Sequence, residues 1–166
     1  MTRNRSIGFI AGAIAPVLVA LAVSAAVANG GTQSSSATAT VALRSTSLGK
    51  VLADARGRTL YLFLKDSKGQ SLCDDSCAQY WPPLLSTGKP RAGAGVHAPL
   101  LGVITRKDGQ HQVTYAGHPL YTFVSDTKPG QTDGEGSTNF GAAWYAVGAN
   151  GSAVKSAIKV GDIYGP

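Results

Sequence analysis

A pattern of aromatic, any residue, aromatic, two residues and aspartate occurs twice in this chain. It reads YLFLKD from Tyr61 to Asp66 and, sixty positions on, YTFVSD from Tyr121 to Asp126. The surroundings match too: Gly57 pairs with Gly117, Leu60 with Leu120 and, after a three-residue insertion, Trp81 with Trp144. A repeat at this period points to a fold made of two similar β units. Either unit alone would bury little apolar surface, so the two are expected to share one core.

Strand and turn signals follow the repeat. Residues 41–44 and 50–53 are short β-prone runs, and Asp54, Ala55, Arg56 and Gly57 read as a turn into a strand over 58–64. There Leu60, Leu62 and Leu64 alternate with Tyr61 and Phe63, so both faces are apolar and the strand is expected to be covered on both sides. The second copy repeats the plan with strands over 101–106, 110–115 and 120–124, a β-meander. A last hairpin is expected from residues 144–147 and 153 onward. Helix signals are weak except over 74–80, where Pro82 ends any helical turn. The fold class is therefore all-β, two pseudo-repeats of antiparallel hairpins sharing one sandwich or barrel-like core, with a short helical turn near the cysteines.

Arg3 and Arg5 precede an uncharged, alanine-rich stretch over residues 7–28 that ends in Ala26, Val27 and Ala28. This predicts a signal peptide over residues 1–28, with an uncleaved N-terminal anchor as the rival reading. Residues 29–40 (NGGTQSSSATAT) read as a flexible linker, and residues 41–166 as one β domain holding repeat 1 (48–85) and repeat 2 (101–147). The expected location is extracytoplasmic, secreted or in the cell envelope, with membrane contact only through an uncleaved N-terminal helix. Net charge is +6, but the basic residues are scattered and not interleaved with aromatics, which argues against nucleic acid.

Each motif residue has a bland and a sharp reading. Asp66 and Asp126 each open a turn, where a carboxylate accepts backbone N–H groups two residues on; alternatively they form a pseudo-symmetric pair for a cation or basic ligand. Tyr61, Phe63, Tyr121 and Phe123 are core aromatics or a platform on which a ligand stacks. Trp81 and Trp144 are expected to plug the sheet. Cys73 and Cys77, the sole cysteines, suggest a structural disulfide in an exported protein, or else a redox-active or metal-binding pair. His97, His111 and His118 would be the further metal ligands, although they share no ligand spacing. No G-x-S-x-G elbow, H-E-x-x-H or P-loop is present, and two aspartates alone make a weak case for a hydrolase.

With LGKVLADARGRTLYLFLKD, CDDSCAQYWPPL, VTYAGHPLYTFVSD and WYAV in view, the chain resembles the bacterial secreted repeat family of unknown function, the predicted lipoproteins with a Yx(FWY)xxD motif. The resemblance covers residues 48–147 and implies no activity. The chain departs from many members in having no cysteine where a lipid would be attached. The expected function is an exported, non-enzymatic binding or structural module of the cell envelope, taking an unknown envelope component or small ligand and no cofactor. The alternative is an envelope redox or metal-handling protein using Cys73 and Cys77.

Overall fold

The computed structural model describes residues 37–155. The expected signal or anchor, residues 29–36 of the linker and residues 156–166 lie outside the described residues. The ordered elements are β1 (Thr40–Thr46), β2 (Gly49–Asp54), β3 (Tyr61–Phe63), α1 (Asp75–Tyr80), β4 (Arg91–Ala92), β5 (Leu101–Thr105), β6 (His111–Tyr115), β7 (His118–Pro119) and β8 (Trp144–Ala146). They form three small sheets, β2-β1-β4, β3-β8 and β5-β6-β7. The all-β class, the two repeats and the helical turn beside the cysteines are thus as the sequence predicts.

Each copy opens with the same hairpin. Val41 lies opposite Asp54 and Leu43 opposite Leu52, and in the second copy Leu101 lies opposite Tyr115 and Val103 opposite Val113. The turn after β2 is held by Asp54, whose Oδ1 accepts the N–H groups of Arg56 and Arg58 at 2.9 Å each. It closes at Gly57, where φ of +82° favours glycine. The matching Gly117 has φ of +84°.

The copies then exchange their last strands. β8, from the end of the second copy, pairs with β3 of the first: Tyr61 with Ala146, Leu62 with Tyr145, Phe63 with Trp144. Reciprocally, the Trp81-Pro82-Pro83 segment of the first copy lies beside residues 121–124 of the second, with Thr122 N–H on Pro82 O at 2.9 Å and Val124 N–H on Tyr80 O at 3.1 Å. Proline has no N–H to return, so this side forms an isolated bridge at Pro83 and Tyr121 instead of a ladder. The strand expected over 120–124 is therefore absent as a regular element, whereas Tyr145 and Ala146 complete one on the other side. Where the halves meet, Tyr61 and Tyr121 exchange both backbone bonds, at 2.9 and 3.0 Å.

β3 is covered on both faces. Leu60 and Leu62 enter one cluster with Val41, Leu52, Val113, Tyr115, Leu120 and Val147; Tyr61 and Phe63 enter the other with Val51, Trp81, Tyr121 and Trp144. Each cluster draws on both copies, so neither half has a finished core alone. Leu64 departs from the expected alternation and is 54% exposed. The strand has already ended, because Asp66 N–H turns back to Phe63 O at 3.1 Å.

Candidate functional site

The doubled motif converges on the line between the copies. Trp81 and Trp144 stack face to face at its centre, 3.9 Å apart and 3° from parallel. Phe63 stacks on the far face of Trp144 at 4.0 Å, and Phe123 on that of Trp81 at 4.4 Å. The result is a column of four rings, Phe63, Trp144, Trp81 and Phe123. Tyr61 meets Trp81 edge-on at 5.3 Å and Tyr121 meets Trp144 likewise at 5.2 Å. Tyr61, Tyr121 and both tryptophans are fully buried. Burying one such tryptophan removes on the order of 200 Å² from water, a gross gain of about 5 kcal/mol before entropy. The indole N–H groups differ: that of Trp144 donates to Asn139 O at 3.0 Å, whereas that of Trp81 has no acceptor among the described residues.

The two aspartates serve the opposite copy's tyrosine. Tyr61 Oη donates to Asp126 Oδ2 at 2.6 Å, and Tyr121 Oη to Asp66 Oδ2 at 2.7 Å. The other oxygen of each carboxylate closes its own loop. Asp66 Oδ1 accepts Leu72 N–H at 2.7 Å, and Asp126 Oδ1 accepts Asp133 N–H at 2.9 Å. Their bonds thus reach six and seven residues on, not the two of a simple side-chain turn. Burial, then the neighbouring Asp126, pushes the Tyr61 phenol well above its ordinary range, so it stays protonated and donates. Burial, then Asp66, does the same to Tyr121. Burial also raises both carboxyls, Asp66 to about 6.

Cys73 and Cys77 form a disulfide with Cα atoms 5.1 Å apart. Cys73 lies before the helix and Cys77 within it, and Asp74, which caps the helix start, is extended at φ −116°. An irregular entry is what a bridge across four residues needs, since an ideal helix would not hold it. Both cysteines are buried against the ring column. The cysteine loop is fastened by Arg106, a buried side chain that sequence reading overlooked. Its Nη1 reaches Ser71 Oγ and Gln112 Oε1, both at 2.7 Å, and its Nη2 reaches Cys73 O at 2.8 Å and Asp74 Oδ1 at 3.2 Å. Ser71 Oγ also lies 2.8 Å from Tyr121 Oη and donates to it, since the one phenolic proton goes to Asp66, joining the two networks. One signal was available: Gln112 stands where the first copy has apolar Val51.

The histidines stand apart from this centre. His97 is exposed ahead of a short 3-10 turn, exposed His111 lies 3.3 Å from Thr105 Oγ1, and half-buried His118 opens β7. Among the described residues no three or more histidine, cysteine, aspartate or glutamate side chains gather closely enough to hold a metal ion.

The fold and its centre define an all-β protein of two sequence repeats with exchanged strands. The family model described as a secreted repeat of unknown function matches residues 42–85 and 102–148, one segment in each copy, and the chain belongs to that family. No curated protein and no solved structure matches the chain. None of the described helices is long and apolar enough to cross a membrane.

Proposed function

We propose that the protein works outside the cytoplasm as a non-enzymatic binding or structural module of the cell envelope, with the Cys73–Cys77 bond holding its shape. The observation that carries this reading is how the polar groups of the doubled motif are used. The phenols of Tyr61 and Tyr121 and the carboxylates of Asp126 and Asp66 bond to one another across the core. The disulfide supports the same reading: both cysteines are buried, and attack by an external thiolate needs access to a sulfur.

Redox titration of the oxidised protein tests it. A midpoint potential below about −300 mV is expected, as for a structural bond. A readily reduced pair, or stoichiometric copper or zinc bound after mild reduction, would overturn it in favour of redox or metal handling by Cys73 and Cys77.

A further inference from the structure

The two copies differ in what lies along the outer edge of their first strand. In the first copy the connection after the exchanged segment runs on beside β1, parallel to it, pairing Thr40 with Arg91 and Val41 with Ala92. Gly93 N–H donates to Val41 O at 2.7 Å, and Leu43 N–H donates to Ala94 O at 3.0 Å. In the second copy the chain instead turns through residues 148–151, Val147 bridges Ala153, and Val154 N–H returns to Ala146 O at 2.8 Å. β5 is left at the end of its sheet.

The direction of the free groups on β5 follows from its neighbour. Val113 sends its N–H to Leu84 O at 2.8 Å and receives Leu120 N–H at 3.0 Å, both on the side away from β5. Opposite it, Val103 therefore points its own N–H and C=O outward, as Leu43 does in the first copy. Period two places Leu101 and Thr105 the same way. Among the described residues Val103 and Thr105 have no backbone partner on that side, whereas Leu101 N–H already donates to Ala98 O at the end of the 3-10 turn before β5. An open groove of 480 Å³ lies beside the edge, with Leu101, Val103 and Pro90 as its apolar wall and Lys89 and His111 also lining it. Val103 is 38% exposed, and among the described residues no carboxylate lines the groove.

We propose that the β5 edge is a docking site for an extended acidic peptide with small side chains, which adds to it as β4 adds to β1. This rests on the reading of the protein as a binding module and names the place and the partner class. Unpaired backbone along an edge strand is a template for strand addition, and main-chain bonds supply the affinity. The first copy supplies the pattern for the occupant, residues 91–96 (RAGAGV), with one change in what fits. A Cβ on Gly93 would come within 2.8 Å of Ala42 Cβ, but the position matching Ala42 on β5 is Gly102. An alanine-sized residue fits there. Charge selects the sign: Lys89 favours a carboxylate on the peptide and opposes edge-to-edge pairing of two copies, which would bring two Lys89 ammonium groups together.

The test uses the full chain with two probes, acetyl-Asp-Ala-Ala-Ala-Gly-Val-amide and the same peptide with arginine first, read by amide NMR shifts and hydrogen exchange. The acidic peptide is expected to shift and protect the amides of Val103 and Thr105. The arginine peptide should bind about five-fold more weakly, the effect of one exposed charge pair. Lys89→Glu should reverse that preference, and Val103→Pro, which removes an outward N–H and no ladder bond, should abolish binding. Slow exchange of the Val103 amide in the free protein would mean that another part of the chain or a second copy covers the edge, and would overturn the proposal. So would the absence of shifts at β5, or binding that survives Val103→Pro. If that variant does not fold, the charge reversal at Lys89 decides alone. A failure here leaves the disulfide titration standing, so the two readings fail separately.

Discussion

The two copies share their centre and differ in what surrounds it. Each contributes one tyrosine, one phenylalanine, one tryptophan and one aspartate to the middle of the molecule, and in each the aspartate is bonded by the other copy's tyrosine. Around that frame the loops diverge. The first copy's loop carries a disulfide and is gripped by buried Arg106, whereas the second copy's loop has Gly134 in the place of Cys73, packed so closely that a Cβ there would sit 2.7 Å from Trp81 Cη2. Even matching fastenings survive: Gly69 N–H meets Gly117 O, and Gly130 N–H meets Gly57 O, both at 3.0 Å. A pseudo-two-fold constrains most tightly the residues that touch their own counterparts, and relaxes outward from there.

The comparison breaks most visibly at the ring column. Trp144→Ala and Trp81→Ala should each cost about 3–5 kcal/mol in urea unfolding, because either leaves a cavity bounded by rings of both copies. Loss of only one half of the structure in either variant would show that the copies fold separately. The disulfide exists in one copy alone, so the double change Cys73→Ala, Cys77→Ala should cost about 2 kcal/mol by loop entropy for so short a ring. Tyr61→Phe and Tyr121→Phe should each cost about 1–3 kcal/mol by leaving a carboxylate oxygen unpaired. Tyr61→Phe should be the worse, since Asp126 is 2% exposed while Asp66 is only half-buried and can take water. Trp144→Phe loses a bonded indole N–H and Trp81→Phe an unbonded one, so the first should exceed the second by about 1 kcal/mol.

The last expected effect is with pH. The Asp66 carboxyl titrates near 6 in the folded protein and at its ordinary, lower value when unfolded. The folded state then holds the proton more firmly, so this group's contribution is full below the unfolded value and fades as pH rises through about 6. Melting temperature of the wild type relative to Asp66→Asn should therefore fall between pH 4 and pH 7. A wild-type advantage that grows over that interval would remove the buried-carboxyl account.

Much of the frame was legible. Alternation placed Leu60 and Leu62 on one face of β3 and Tyr61 and Phe63 on the other, and turn residues such as Asp54 with Gly57 placed the hairpins, because these depend on a few adjacent residues. The helical turn was legible from Pro82 and the helical signal before it. The cross-copy bonds were not. Tyr61 and Asp126 are 65 residues apart, and nothing local to either reveals the other. Nor could periodicity show that residues 81–83 leave their own half, or that Arg106 would be buried, since an arginine at a strand end usually faces water.

The sequence by itself determined that there are two like β units, which residues form their strands, and that both faces of the central strand are apolar. Tertiary structure alone decided that the units exchange strands, that the tryptophans stack on each other, that each aspartate answers the opposite tyrosine, and that one first strand is covered while its counterpart, among the described residues, ends its sheet. The physical reason is range: side-chain period and turn chemistry act over a few residues, whereas the choice of strand neighbour is made by packing and hydrogen bonds between segments some sixty residues apart.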